Sequence, residues 1–190
     1  MTVVFKKKYF EPEAVSELAK ALDTCLPKEG EVVFICIGTN RNILDCLGPM
    51  AGTMIKDKVP ELAVYGTLDE PIHALNMVTA LRSIRNRHRG AVEVAIDASL
   101  GKPEEVGVIQ VRLGSLTPGK AVNKRLPAVG SVAVTGVVAA ANDEEIGYVK
   151  TVSGSIAPVY HIARTISRSV FAVKEVLLAR AAPEEGCEEG

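Results

Sequence analysis

The chain has no tryptophan and only 4% aromatic residues, so ring stacking on bases or sugars is a poor way for it to hold a ligand. An excess of charge of either sign is missing too. The net charge of −1 gives no long-range electrostatic reason to expect a nucleic acid or an anionic membrane as partner. Long apolar runs are also absent. The longest weakly polar stretch, "VAVTGVVAAA" at 132–141, falls well short of the roughly 20 residues that a membrane span requires. "MTVVFKKKYFEPE" at the start has a short apolar patch followed by lysines, which is not a secretory signal. Cysteines are few and scattered. Cys25, Cys36, Cys46 and Cys187 show no CxxC spacing, so neither a disulfide framework nor a zinc knuckle is indicated, and a reducing, cytoplasmic compartment is expected.

What remains is a chain of 190 residues, 47% apolar, long enough to bury a core of Val, Ile, Leu and Ala in one domain. Residues 12–26 carry Val15, Leu18, Ala19 and Leu22 at helical spacing. "EVVFICIG" (31–38) is a continuous, largely β-branched run, as in a strand buried on both faces. A helical pattern follows from Asp45 to Val59 and stops at Pro60. "LAVYGTL" (62–68) reads as a strand, and a helix is expected from Ile72 to about Asn86. Three further strands are expected at 91–98, 106–114 and 131–139, with a Pro/Gly-rich loop at 115–130 and a last helix from Pro158 to Arg180. The alternation predicts a single α/β domain over 1–181, a three-layer α/β/α sandwich on a mostly parallel sheet. Residues 182–190 are expected to form a disordered acidic tail.

Two lone aspartates stand where such sheets bind ligands, beyond the carboxyl ends of the strands. Asp45 lies in "CIGTNRNILDCLGP" after the first strand, and Asp97 ends the third strand in "VEVAIDASLGK". If those strands are neighbours, both carboxylates reach one crevice. A close pair resists double ionisation and can hold one proton near neutral pH, acting as base toward water and acid toward a leaving group. Fully ionised, the pair suits a hard divalent cation. Asp45 also reads simply as a helix N-cap. Asp97 has no such simple role, because a carboxylate closing an apolar strand is costly unless paired or hydrated.

"FICIGTNRNILDCLGP", "VYGTLDEPIHALN", "VAIDASLGK" and "LTPGKAVNKRLPAVG", in this order, resemble the YyaC-type sporulation proteins of endospore-forming bacteria. That family is similar to the germination protease, which degrades small acid-soluble spore proteins, and more distantly to the hydrogenase maturation endopeptidases. The resemblance implies a phosphorylase/hydrolase-like fold and a setting in the sporulating cell or spore interior. It also implies catalytic roles for Asp45, in Asp45-Cys46-Leu47-Gly48-Pro49, and Asp97, in Ile96-Asp97-Ala98. Pro118-Gly119 and Asn123-Lys124 resemble the protease's Pro-Gly loop and its following Asn-Lys. The protease's activation segment has no counterpart here, and Ile43-Leu44 stands where it has Thr-Pro. Against the metal-dependent maturation enzymes, a histidine expected after the fourth strand is missing from "VRLGSLTPG".

Four residues join the aspartates as candidates for binding substrate. His73 is expected in the first turn of its helix, near the crevice, with a backbone-bonded, partly buried histidine as the plainer account. Asn123 and Lys124 in the long loop would position substrate or steady an oxyanion. Asn40 lies in "GTNRN", which lacks both GxGxxG and GxxxxGK[ST] and so is not a phosphate loop. His88, among Arg82, Arg85, Arg87 and Arg89, reads as a solvated helix end whose cations offset the dipole. The leading expectation is a sporulation-associated peptidase using the aspartate pair on a protein or peptide substrate such as the small acid-soluble spore proteins. The alternatives are a non-enzymatic spore protein that binds a protein partner and a metal-dependent endopeptidase. No cofactor is expected, since a divalent metal lacks a full ligand set. A homo-oligomer stays open.

Overall fold

A computed structural model describes residues 2–118, 126–141 and 154–181. In chain order the elements are β1 (Thr2–Lys8), α1 (Ala14–Cys25), β2 (Val32–Cys36), α2 (Leu47–Lys58), β3 (Ala63–Tyr65), α3 (Met77–Arg87), β4 (Val92–Gly101), β5 (Val108–Leu113), β6 (Val132–Ala140), α4 (Ile156–Ala172) and α5 (Lys174–Ala181). The strands form one sheet in the order β1-β5-β6-β4-β2-β3. β3, β2, β4 and β6 run parallel, while β5 pairs antiparallel with β6 and β1 antiparallel with β5.

Side-chain alternation along the central strands sorts the core into two layers. Val32, Phe34 and Cys36 of β2 and Val94 and Ile96 of β4 pack with Leu18, Leu47, Ile55, Ile162 and Ile166 from α1, α2 and α4. Val33 and Ile35 of β2 and Ala95 of β4 face the other way, onto Met77, Leu81 and Ile84 of α3. All five residues of β2 are buried, which is why its sequence is apolar throughout rather than alternating. The result is the expected three-layer arrangement.

Several elements depart from expectation. β4 runs on to Gly101 instead of ending at 98, because its pairing with β6 continues, so Asp97 lies within the strand rather than at its end. β1 was not foreseen: only Phe5 of its seven residues is buried, and three consecutive lysines hide a period of two. Those lysines suit an edge strand, where charge discourages pairing with another chain. Lys6 pairs with Glu105 at 3.0 Å and Lys7 with Glu17 at 2.6 Å. α3 begins at Met77 rather than Ile72, because Asn76 folds its side chain back over the preceding turn. Its Oδ1 accepts from the His73 N–H at 2.9 Å and its Nδ2 donates to the Pro71 carbonyl at 2.9 Å. Asp45 closes a short 3-10 turn (Ile43–Asp45), and α2 starts two residues later with no side-chain cap. Finally, the last helix is broken at Val173, where the N–H bonds back to Val170. The new axis docks α5 on the chain before β2: the Arg180 carbonyl accepts from Gly30 N–H at 2.9 Å, and its guanidinium pairs with Asp23.

Candidate functional site

The carboxyl end of β2 organises the site through three successive backbone N–H groups. Ile37 N–H donates to the carbonyl of Ile96 at 2.8 Å, Gly38 N–H to that of Ile72 at 2.8 Å, and Thr39 N–H to that of Asp45 at 2.8 Å. One short stretch therefore fixes the residue before Asp97, the residue before His73, and Asp45 itself. Gly38 must be glycine here. Its φ is +142°, and a Cβ would land on the Asp45 carbonyl. Gly48 lets α2 lie directly on the backbone of Ile37, with no room for a side chain between them. The apolar run that makes β2 a central strand thus also sets its neighbours' ends side by side.

Asp97 continues the β4 face of Ala95, beside Thr135 of β6, with which it is in register. Both aspartates are partly buried. Burial, and next the charge of Asp45, push the Asp97 carboxyl up from 3.8 to about 7, against a hydrogen bond from Ala98 N–H to its Oδ1 at 2.9 Å. Burial also raises Asp45, while His73 works in the opposite direction. Two identical side chains therefore hold protons differently. Both carboxyls are pushed up, and the opposing effect of His73 acts on Asp45, so the surroundings favour the protonated form more at Asp97 than at Asp45.

His73 sits in the turn before α3, not in the helix as expected. Its Nδ1 accepts from Leu75 N–H at 3.3 Å, which leaves the proton of the neutral ring on Nε2. The Thr39–Arg41 turn carries Asn40, whose Nδ2 donates to the Leu68 carbonyl at 2.8 Å and ties the β2 and β3 loops together. Asn123 and Lys124 lie outside the described residues, as does the 182–190 tail. The ends of their loop are firmly held: Leu116 and Val129 form a buried antiparallel bridge on the Asp97 face of the sheet. Glu93 accepts from Arg85 at 2.6 and 2.9 Å and from Gly130 N–H at 3.2 Å.

The arginine run around His88 is not simply a solvated helix end. Arg85 is engaged with Glu93, and His88 is bonded through both ring nitrogens, to Glu31 and to Tyr65. Sequence reasoning passed over Gly38, Asn42 and Thr135. Asn42, whose Oδ1 accepts from Leu44 N–H at 3.0 Å, caps the short 3-10 turn that Asp45 closes, and Asp45 itself does not cap α2. An Asn three residues before an acidic residue was the available signal. Cys36 and Cys46 are buried free thiols, and burial pushes Cys36 up to about 12.

Among the described residues no group of three or more His, Cys, Asp or Glu side chains is placed to hold a metal ion. No helix among the described residues is long and apolar enough to cross a membrane.

The family described as "Protein of unknown function (DUF1256)" matches residues 6–169. The chain is 38% identical over 128 residues to a Bacillus subtilis (strain 168) protein described as "Uncharacterized protein YyaC". That alignment covers 66% of this chain and 62% of the relative, so the match spans less than two thirds of the relative's length.

Proposed function

We propose, for a chain that belongs to the DUF1256 family, that it is a peptide-bond hydrolase in which Asp45 and Asp97 share one proton and activate water. What supports this reading is that burial and the charge of Asp45 push the Asp97 carboxyl up to about 7, where the end of β2 holds the backbone next to both aspartates. The likeness of Asp45-Cys46-Leu47-Gly48-Pro49 and Ile96-Asp97-Ala98 to germination protease motifs supports a peptide substrate and a role in sporulation.

In the proposed step the Asp45 carboxylate takes a proton from water as its oxygen attacks the scissile carbonyl. Asp97 gives its proton to the departing nitrogen as the C–N bond breaks. His73, with its proton on Nε2, steadies Asp45. The acid form of Asp97 is lost as pH rises through about 7, so cleavage falls with it. Purified small acid-soluble spore proteins incubated with the chain at about pH 6 are expected to give fragments by mass spectrometry. Asp97→Asn should lower that rate by ~10²–10⁴, the usual contribution of an acid–base group. Equal fragmentation by wild type and Asp97→Asn, or none by wild type at any pH from about 4 to 8, contradicts the proposal.

One observation favours a second reading, a spore protein that retains this fold to bind a protein partner. Leu75 and Val78, beside His73 and at the start of α3, are 84% and 58% exposed, more apolar surface than a catalytic carboxylate needs nearby. Stable capture of the spore proteins without fragments would select it.

A further inference from the structure

A groove of about 810 Å³ runs beside β3, the edge strand of the sheet. Its walls include Glu31, Tyr65, Arg87 and His88, and also His73 of the aspartate site. His88 Nδ1 lies 2.8 Å from Glu31 Oε1, and its Nε2 lies 2.7 Å from Tyr65 Oη. A glutamate carboxylate only accepts hydrogen bonds, so Nδ1 carries the proton. With a single proton on the ring, Nε2 is then the acceptor and the Tyr65 hydroxyl donates to it. Arg87 Nη1 stands 3.5 Å from the same phenol oxygen, where its charge offsets negative charge developing on that oxygen.

Carboxylate, imidazole and hydroxyl in this order form the relay that activates a nucleophile: the acid fixes the ring, and the ring receives the hydroxyl proton. Helix termination does not require it. The backbone N–H of His88 already closes α3 on the Ile84 carbonyl at 2.9 Å. The imidazole side chain is only 13% exposed, so its orientation is held, whereas Tyr65 borders the open groove.

We propose that Glu31, His88 and Tyr65 form a second reactive centre, in which Tyr65 takes up the acyl group of an activated acyl ester bound in the β3 groove. The phenol oxygen forms a bond to the acyl carbon as the bond to the leaving alcohol breaks. The hydroxyl proton passes to His88 Nε2 and from there to the departing alkoxide, while Glu31 stabilises the transient imidazolium. Water then attacks the acyl carbon as His88 Nε2 takes its proton; the bond to the phenol oxygen breaks, the acyl group departs as the carboxylic acid, and His88 returns the proton to the phenolate.

The test is acetylation of the full chain by p-nitrophenyl acetate, with the modified residues mapped by peptide mass spectrometry over time. Tyr65 is expected to be acetylated at least ~10-fold faster than Tyr9, Tyr148 and Tyr160, and His88→Gln and Glu31→Gln should each remove that advantage. Glu31→Gln keeps a side chain of the same shape and decides the matter if His88→Gln does not fold. Asp97→Asn is expected to leave Tyr65 acetylation unchanged, which separates this centre from the aspartate site. A Tyr65 rate no greater than that of the other tyrosines, or one undiminished in Glu31→Gln, overturns the proposal.

Discussion

Asp97→Asn is expected to make the fold more stable at about pH 8 by roughly 2–4 kcal/mol, while leaving stability near pH 4 almost unchanged. The sign follows from proton counting. The carboxyl sits at about 7 in the folded chain against an ordinary value of 3.8. Between those values the folded state binds more protons at this position than the unfolded state. Wild-type stability therefore falls as pH rises from about 4 to about 7, then levels off. The full gap corresponds to about 4 kcal/mol, and partial exposure of the side chain lowers the realised figure. Asparagine has no charge to bury and escapes the loss. For a chain of this size the difference should appear as a rise in Tm of roughly 5–15 °C at about pH 8, measurable by calorimetry across a pH series. Parallel pH curves for the two proteins would mean that Asp97 is not a strained acid.

Gly38→Ala is expected to destabilise the chain by about 3 kcal/mol or more, because two penalties add. The positive φ alone costs a non-glycine residue about 1 kcal/mol or more, and the new Cβ collides with the Asp45 carbonyl. Gly90 separates the two penalties. Its φ is +83°, but nothing lies within 4 Å of a Cβ built there, so Gly90→Ala should cost only about 1 kcal/mol. Denaturant unfolding of both variants checks the comparison, and equal losses would show that the collision is relieved cheaply. The collision also has a functional consequence. Displacing the Asp45 backbone weakens its action on Asp97, so the proposed hydrolysis should fall even in the fraction that remains folded.

The layered fold was legible because its central strands are buried on both faces. A run such as Val32–Cys36 admits few other assignments, and helices α1, α2 and α3 present clean apolar stripes. β1 was not legible, since an edge strand buries one residue of seven and its lysines imitate a solvated tail. The start of α3 was misplaced for a different reason: Asn76 spends its side chain on a turn, and the apolar spacing from Ile72 onward cannot report that. Ile72 is a core residue, but it earns its place by bridging to Ile37.

At the site, the two aspartates were visible as lone charges beside apolar runs, and family resemblance named them together, but Asp97 lies inside β4, not at its end as expected. The expected crevice required β2 and β4 to be neighbours, which the sequence left open; the sheet order makes them so. His73 was identified as a residue but not in its setting. The relay of Glu31, His88 and Tyr65 could not be read at all, because its members are separated by 34 and 23 residues and meet only once β3 lies against β2 and α3 folds back beside them. Hydrogen-bond partners of that kind leave no periodic trace in a sequence.

The central claim, that Asp97 is held protonated by its burial and by Asp45, is open to direct titration. Carboxyl-carbon NMR on wild type and Asp45→Asn follows each aspartate through the pH range. Asp97 should titrate at about 7 in wild type and move to lower pH once residue 45 carries no charge. An Asp97 that titrates near 3.8, or one whose midpoint is the same in Asp45→Asn, would contradict it.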